Sequence, residues 1–366
     1  MADKTVKAMV LEQTGQPLAL REFPVPEVKP GAVLMRVLAA GICGSDLDIT
    51  SGKDPRVALP MILGHEGIGE IVAVGGEKRD VFGRTVRQGD MIAFDRGLTC
   101  GKCAQCALHG RPELCEWRQT YGISLSSADW PHLNGCYAEM IYLRPETAVI
   151  KLPPEAEPIG LVAATCSGAT AAHAIELSHI KPADVVVVIG PGPLGLFSAA
   201  LAFSQGADQV VMVGTGSSPS RLQLSESFGC VPVSMAETSP DDRLELVAGL
   251  SQGQGAAVVV DCAGSSAALE EALNLVAPGG TVTIPGVAVP VREPHLDPYL
   301  LSRKQVTLQG VWTSNLRHLH QSLTLANSRR YPLDALVTHA LPLEQANEGL
   351  ELLRQKAAIK VVLMGE

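Results

Sequence analysis

The chain has 366 residues, of which 46% are hydrophobic and 18% charged, and its formal net charge is −9. Because single hydrophobic cores stop growing near about 250–300 residues, a chain of this length is expected to form two domains. The acidic balance contains no run of Lys or Arg, which argues against nucleic acid or an anionic membrane surface as a partner.

The compartment is predicted from what the sequence lacks. No apolar run approaches the roughly 18 residues of a membrane span, and the N-terminal stretch MADKTVKAMVLEQ has no apolar signal core. We therefore expect a cytoplasmic, reducing location. Clustered cysteines in such a compartment hold metal more often than they form disulfides.

The first 155 residues contain short apolar runs interrupted by Gly and Pro, such as EGIGEIVAVGG, which indicate short strands in a β-rich, barrel-like unit. Within it, Cys43 and His65 lie in Gly-rich turns at the ends of predicted strands. Taken alone, each has an ordinary structural explanation, since a free Cys is usually a small buried hydrophobe.

Four cysteines follow with the spacing CxxCxxCx8C, at Cys100, Cys103, Cys106 and Cys115. Such spacing lets four thiolates converge on one tetrahedral Zn2+ in a closed, structural site. An iron–sulfur cluster is the rival occupant, but its usual bacterial spacing has three residues before the last Cys and a following Pro. Incidental thiols are the third possibility. A closed site cannot bind substrate, so zinc chemistry would need other ligands.

Cys166, in AATCSGATAAHA, provides one more thiol. With Cys43 and His65 it makes a Cys/His/Cys set, the three-ligand pattern of a catalytic zinc that keeps one position open.

From about residue 160, strand-length Val/Ile runs alternate with helix-length segments, which predicts a doubly wound parallel sheet. Gly190, Gly192 and Gly195, with Pro193 and Leu194 between the last two, follow a predicted strand and open a predicted helix. This GxGxxG context predicts a dinucleotide site whose pyrophosphate faces a helix N-terminus.

The next predicted strand ends at Gly214, where an NAD-selective site would carry an acidic residue for the ribose 2′-hydroxyl. Thr215, Ser217, Ser218 and Arg221 instead offer groups for a 2′-phosphate, and the cofactor assignment NAD(P) therefore leans slightly to NADP. Arg221 is equally compatible with a helix residue packing on the adenine. Past about residue 312 the alternation fades, and the terminal run IKVVLMG is a strand able to rejoin the first domain.

Taken together, these motifs resemble the zinc-dependent medium-chain alcohol dehydrogenases over essentially the whole chain, in the family's order. The resemblance implies an α/β protein with a GroES-like β-rich catalytic domain (1–167 and 313–366, with a zinc lobe at 95–118) and a Rossmann cofactor domain (168–312). It implies two zincs per chain, one catalytic on Cys43, His65 and Cys166 and one structural on the four-cysteine lobe.

The resemblance also implies roles for single residues. Glu66 is an occasional ligand or outer carboxylate and Asp46 orients His65, although both fit ordinary loop carboxylates as well. Ser45 takes the substrate proton, or caps a turn. Asp48 occupies the position of the family's relay His, which leaves the outer end of the relay open. Thr170 is expected to contact the nicotinamide and Lys360 the pyrophosphate, or Lys360 is a simple strand charge.

The four-cysteine lobe departs from the family pattern by one extra residue between its third and fourth cysteines, so a local rearrangement that still closes is expected. The predicted reaction is reversible hydride transfer between an alcohol and NAD(P). The aromatic and apolar character of the expected cleft segments suggests a medium-sized alcohol, secondary or cyclic. These segments contain Phe94, Asp95, Trp117, Trp130, Leu133 and Trp312.

Two other functions stay open: a zinc-free quinone or enoyl reductase of the same superfamily, and a non-enzymatic interaction protein built on the zinc lobe. The first would leave zinc-spaced thiols without a use. A homodimer or homotetramer is expected from the resemblance.

Overall fold

A computed structural model describes residues 5–217, 219–287, 289–290 and 296–365. The chain divides into two compact units. Unit 1 comprises Met1–Cys166, Asn315–Leu323 and Asp334–Glu366, and unit 2 comprises Ser167–Ser314 and Thr324–Leu333. Residues 324–333, drawn above with the catalytic domain, are thus grouped with unit 2, where Tyr331 stacks on Phe228 at 6.0 Å between ring centroids.

The strands and helices are as follows. The strands are β1 Thr5–Leu11, β2 Ala19–Pro24, β3 Val33–Ile42, β4 Met61–Ile62, β5 Gly67–Val74, β6 Met91–Phe94, β7 Gly97–Leu98, β8 Gln119–Thr120, β9 Met140–Leu143, β10 Val149–Lys151, β11 Val185–Ile189, β12 Gln209–Gly214, β13 Val231–Ser234, β14 Ala256–Asp261, β15 Val276–Ile284, β16 Thr307–Gly310, β17 Val337–Pro342 and β18 Lys360–Met364. The α-helices are α1 Gly44–Thr50, α2 Pro158–Leu161, α3 Ser167–Ser178, α4 Pro193–Ser204, α5 Pro219–Glu226, α6 Pro240–Leu250, α7 Ser266–Leu275, α8 Pro298–Lys304, α9 Leu316–Asn327 and α10 Ala346–Arg354. A π-helix spans Ala104–Leu108, and short 3-10 helices span Pro112–Leu114, Val162–Thr165, Leu333–Leu336 and Leu343–Gln345.

Unit 1 is built around a seven-stranded sheet of order β10-β6-β5-β3-β18-β17, with β9 also paired to β3. Two smaller sheets, β2-β1-β4 and β7-β8, complete it. The C-terminal strand β18 pairs antiparallel with β3, so that Val361 lies opposite Ile42. The prediction that the terminal strand rejoins the first domain is therefore confirmed, and this pairing brings the end of the chain beside the residue that precedes Cys43.

The core of unit 1 consists of nearly continuous buried runs of these strands together with large side chains from the long connections. Met35, Ile71, Tyr121 and Tyr137 are all fully buried in it. Because the strand ends emerge from this tightly packed core, the turns that follow them are held in fixed positions.

Unit 2 is a six-stranded sheet of order β13-β12-β11-β14-β15-β16, and every pairing in it is parallel. Side chains of α6 and α7 pack on one face with Val187, Val211 and Val259. On the other face, Ser178 of α3 hydrogen-bonds Thr283 at 2.9 Å. The predicted doubly wound sheet is confirmed, and its strand order reverses between β11 and β14, where such sheets bind ligands.

Among the described residues, no single helix is long and apolar enough to cross a membrane. The consecutive segments Pro158–Thr165 and Ser167–Ser178 pass together on length and composition only, and most of the second is buried within the protein.

Candidate metal centres and nucleotide site

The four-cysteine lobe consists of Cys100, Cys103, Cys106 and Cys115, whose sulfurs all lie within 4.8 Å of one another. Backbone amides point at these sulfurs: the Cys103 N–H donates to Cys100 Sγ at 3.3 Å, and the Cys100 N–H donates to Cys115 Sγ at 3.4 Å. Four thiols held at this spacing with amide donors around them match a tetrahedral thiolate site for Zn2+.

A π-helix at Ala104–Leu108 contains the third cysteine of this lobe. The N–H of its C-cap residue, His109, donates to Ala104 O at 3.0 Å, a bond across five residues where an α-helix spans four. The predicted local rearrangement of the lobe stays a prediction, but its four sulfurs do converge.

A second group of donors, which we call the open cluster, contains Cys43, His65, Glu66 and Cys166. One ligand atom of each lies within 4.8 Å of the others, and the two sulfurs are 4.0 Å apart. Cys43 is the N-cap of α1 after β3, His65 and Glu66 lie between β4 and β5, and Cys166 ends the Val162–Thr165 helix. Residues far apart in sequence are thus brought to one point.

The pKa values of the two thiols of the open cluster shift in opposite directions. The hydrogen bond from Cys166 lowers the pKa of Cys43 well below its usual value, against burial, which raises it. The same hydrogen bond, together with burial, raises the pKa of Cys166 well above its usual value. Burial is the largest single influence on His65 and lowers its pKa, but the charges of Asp46 and Cys43 and the hydrogen bonding to them together outweigh burial and raise the pKa to about 9.

Asp46 holds the first two ligands in place. Its Oδ2 accepts hydrogen bonds from the Cys43 N–H at 2.8 Å and from the Tyr137 hydroxyl at 2.9 Å. Its Oδ1 lies 3.5 Å from His65 Nδ1, a charge contact longer than a hydrogen bond. This arrangement matches the orienting function predicted for Asp46. Tyr137 was missed in the sequence, because a tyrosine in NGCYAEM has no spacing that relates it to either ligand.

Glu66 and Lys360 form a buried ion pair. The Lys360 ammonium lies 2.5 Å from Glu66 Oε2, and both side chains are at most 2% exposed. Glu66 Oε1 is also buried and has no hydrogen-bond partner among the described residues. Burial raises the pKa of Glu66 to about 7, against the charge of Lys360, which lowers it.

The predicted contact of Lys360 with the pyrophosphate stays a prediction, whereas its alternative, a simple strand charge, is wrong because the side chain is buried. The ammonium is enclosed and paired with Glu66, because β18 runs beside β3 and turns this side chain toward the open cluster. Gly41 on β3 makes room for the pair: a Cβ added there would lie 2.0 Å from Glu66 Oε2.

Ser45 lies at the open cluster and Asp48 at its edge. The Ser45 hydroxyl donates to Cys43 Sγ at 3.2 Å and lies 3.5 Å from His65 Nε2. Asp48, on α1, is half-buried, and burial raises the pKa of its carboxyl. The position of Ser45 beside the ligand atoms is compatible with the proton transfer predicted for it.

The donor set of the open cluster fits a divalent zinc ion. Two sulfurs, an imidazole and a buried carboxylate oxygen without a hydrogen-bond partner are the ligand types that Zn2+ selects. Ligand rotation in this site is limited by Asp46 and by the surrounding core.

The glycine-rich turn of unit 2 follows β11 and opens α4. Gly190 has φ +107°, and a Cβ there would lie 3.2 Å from Ala263 N, so the loops after β11 and β14 meet at the point of strand reversal. Gly192 is the N-cap of α4, with Pro193 and Leu194 in its first turn. A Cβ at Gly195 would lie 2.0 Å from Gly190 O, so helix and turn pack too closely for a side chain. These are the requirements of a dinucleotide-binding turn.

The groups predicted at the cofactor's ribose lie close to this turn. Thr215 Oγ1 and Ser217 Oγ are exposed and 2.9 Å apart. The Arg221 guanidinium reaches within 4.0 Å of a Cβ built on Gly192, and burial lowers its pKa. Gly214 is buried at the end of β12. Ser218 lies outside the described residues, and Thr170 is half-buried on α3.

The expected cleft residues divide by burial. Phe94 and Leu133 belong to the core, where Phe94 packs edge-on against Tyr121. Trp117, Trp130 and Trp312 are exposed, and Asp95 is half-buried.

The chain is similar to known proteins in both of its parts. A family profile described as the alcohol dehydrogenase GroES-like domain matches residues 29–154, and one described as zinc-binding dehydrogenase matches residues 193–328. A 5-exo-hydroxycamphor dehydrogenase of Pseudomonas putida is 32% identical, over 93% of this chain and 94% of that protein.

Solved structures give the same result. An alcohol dehydrogenase of Thermotoga maritima is 41% identical with a TM-score of 0.95, covering 99% of this chain and 100% of that one. A zinc-binding dehydrogenase of Sinorhizobium meliloti, solved bound to NADP, is 26% identical with a TM-score of 0.86, covering 99% of both chains. The predicted fold class, a GroES-like domain with a Rossmann domain, is confirmed.

Proposed function

The chain belongs to the zinc-dependent medium-chain alcohol dehydrogenase family, and we propose that its open cluster binds the catalytic zinc for oxidation of a medium-sized secondary or cyclic alcohol. It is an NAD(P)-dependent oxidoreductase that acts on CH–OH groups. The convergence of Cys43, His65, Glu66 and Cys166 within 4.8 Å supports the proposed metal centre.

Zinc held by Cys43, His65 and Cys166 would supply a Lewis acid that lowers the pKa of an alcohol and polarises a carbonyl. We propose a second zinc in the four-cysteine lobe, where all four donors are sulfurs and no position is left for substrate. Two zincs per chain are therefore expected.

The protein groups around the open cluster bind, orient and move a proton. The Ser45 hydroxyl, which lies 3.5 Å from His65 Nε2, accepts the proton of the substrate hydroxyl and passes it on. Asp48 is proposed as the next acceptor, since it lies three residues after Ser45 on α1 and burial raises the pKa of its carboxyl above the usual value. Asp46 keeps Cys43 in one orientation through its bond to the Cys43 amide, and His65 through the contact of its Oδ1 with the imidazole.

The cofactor is proposed to be NADP. No acidic side chain ends β12, and the Arg221 guanidinium near the glycine-rich turn, with Thr215 and Ser217, offers donors to a 2′-phosphate. The relative solved with NADP is compatible with this preference.

The cofactor test uses Arg221→Ala with Lys181→Ala, a lysine of the loop before β11, as control. We expect kcat/KM for NADP to fall at least tenfold in Arg221→Ala while the value for NAD changes little. Introducing Asp at Gly214 is a poorer test, because a Cβ there would lie 3.0 Å from Leu222 and Pro191 side-chain atoms. A wild-type enzyme that strongly prefers NAD contradicts the proposal.

The substrate proposal is supported by the relative named for a hydroxycamphor, a cyclic alcohol. A panel of primary, secondary and cyclic alcohols, followed by NAD(P)H absorbance, tests it, and the highest kcat/KM is expected for a secondary or cyclic member. A clear preference for short primary alcohols would contradict it.

The metal assignment is tested by metal analysis and by Cys43→Ala and His65→Ala. Both variants should lose turnover, retain the lobe zinc and still bind NAD(P)H. Metal-free wild type that reduces quinones or enones would favour the zinc-free reductase, and a fully loaded protein inactive on the whole panel would favour the interaction protein. We propose that the chain forms a homodimer or a homotetramer, and the mass of the assembly measured by native mass spectrometry distinguishes the two.

A further inference from the structure

Cys166 lies at a break in the backbone, between the Val162–Thr165 helix and α3. Its dihedral angles, φ −129° and ψ −73°, belong to neither helix. Carbonyl groups at a helix end have no partner within the helix. The carbonyl of Thr165, one residue before the ligand, accepts a hydrogen bond from Arg96 Nη1 at 3.0 Å, and Arg96 and Thr165 are both buried.

Arg96 also contributes a charge beside the ligand. Its hydrogen bond to the Thr165 carbonyl holds the guanidinium one residue along the chain from Cys166, so a positive charge lies close to this sulfur.

Arg96 belongs to a group of charged side chains of both signs, which we call the Arg96 cluster: Asp95, Arg96, Glu113 and Arg118. The Arg118 guanidinium covers Gly97, where a Cβ would lie 2.3–2.4 Å from three of its atoms. Asp95 Oδ1 accepts the Gly97 N–H at 2.9 Å. Burial raises the pKa of Asp95, and the charges of Arg118 and Arg96 oppose that rise.

The Arg96 cluster joins residues from both ends of the four-cysteine lobe: Asp95 and Arg96 precede its first cysteine, and Glu113 and Arg118 follow its third. Glu113 lies between the third and fourth cysteines, and the Arg118 N–H donates to Cys115 O at 3.1 Å. The strands that enter and leave the lobe, β7 and β8, pair with each other, and the next residue, Tyr121, donates its N–H to Arg96 O at 3.1 Å. Closing the lobe around a metal therefore fixes the groups that surround Arg96.

We propose that Arg96 is a positioning residue for the Cys166 ligand, and that the four-cysteine lobe holds Arg96 in place through the β7–β8 pair, the Tyr121 amide that bonds the Arg96 carbonyl, and the surrounding charges of the Arg96 cluster. The lobe thereby stabilises metal binding at the open cluster, in addition to its own local fold. This inference rests on the proposed metal centre at the open cluster and assigns the lobe a function in it.

The test follows metal release from the loaded enzyme into a chromogenic chelator, together with the visible spectrum of the Co2+-substituted enzyme. Cys43→Ser identifies the phase of release that belongs to the open cluster. The test variants are Arg96→Met, Arg96→Lys and Arg118→Met. Arg84→Met is the matched control, since Arg84 lies in the same unit and pairs with Asp80 away from the open cluster.

In Arg96→Met, we expect metal to leave the open cluster about 10–100-fold faster than in wild type, which is the usual effect of removing a group that orients a metal ligand. The visible spectrum of the Co2+-substituted variant should also shift. Lobe metal should leave at the wild-type rate. Arg96→Lys keeps the charge and should recover part of the loss, which a purely structural defect would not. Arg118→Met should act in the same direction, and its effect should be less than additive with Arg96→Met.

The outcomes separate the two proposals. Wild type that binds no metal at the open cluster overturns both the metal centre and the positioning function. Wild type that binds it, with Arg96→Met releasing metal at the wild-type rate and showing an unchanged spectrum, overturns the function of Arg96 alone. An Arg118→Met variant equal to Arg84→Met overturns the connection to the lobe. If Arg96→Met fails to fold by circular dichroism, the comparison of Arg96→Lys with Arg84→Met decides.

Discussion

The buried pair of Glu66 and Lys360 gives the sharpest stability prediction. In Lys360→Met the stem is replaced by a side chain of similar volume, and the Glu66 carboxylate, which has no exposed surface, is left without its cation. Removing one partner of a buried ion pair costs about 3–5 kcal/mol. For a unit of this size, we expect the melting temperature of unit 1 to fall by roughly 10 °C.

The cause is tested by a second variant. Glu66→Gln combined with Lys360→Met removes both charges of the pair, so it should recover at least half of the loss in a double-mutant cycle measured by calorimetry. Zinc at the open cluster supplies positive charge near Glu66, so the loss should be larger in metal-free than in zinc-loaded protein.

The pH dependence of this loss follows from the direction of the Glu66 pKa. Because the folded-state pKa is raised from 4.5 to about 7, the folded protein binds a proton that the unfolded chain releases, and stability falls as pH rises through this range. Removing the Lys360 ammonium, whose charge lowers the pKa of Glu66, raises that pKa further. The loss in metal-free Lys360→Met should therefore be greater at pH 8.5 than at pH 6. A loss below about 1 kcal/mol, or one that the double variant does not reduce, would refute the reasoning.

Three further predictions concern the same unit. Gly41→Ala forces a Cβ to within 2.0 Å of a buried carboxylate and should destabilise unit 1 by about 1–3 kcal/mol, whereas Gly44→Ala, with nothing within 4 Å, should be nearly neutral in thermal unfolding. Tyr137→Phe removes the buried hydrogen bond to Asp46 and should cost about 1–3 kcal/mol and weaken metal binding in a chelator competition; unchanged metal affinity would contradict the orienting function. Zinc uptake by metal-free protein should release about two protons from the open cluster near pH 7, one from His65 and one from Cys166, measured with a pH indicator. Affinity should rise with pH through about 9, the pKa of the His65 imidazole, and continue to rise above it, because the pKa of Cys166 is higher still.

The sequence alone was sufficient for features that depend on local spacing. The CxxCxxCx8C run, the GxGxxG turn between a strand and a helix, and the alternating Val/Ile strands each report a structure formed by neighbours in the chain. Short loops of this kind restrict their own geometry, so the convergence of four cysteines and the parallel sheet could be predicted without knowledge of the rest of the molecule.

Only the tertiary structure decided what surrounds the open cluster. The sequence has no signal for the ion pair between Lys360 and Glu66, nearly 300 residues earlier in the chain, which forms because β18 pairs with β3. Tyr137 on Asp46 and Arg96 on the Thr165 carbonyl have no sequence signal for the same reason. A buried charge takes whichever partner the packed strands bring within hydrogen-bonding distance, and that choice depends on sheet register and burial rather than on spacing along the chain.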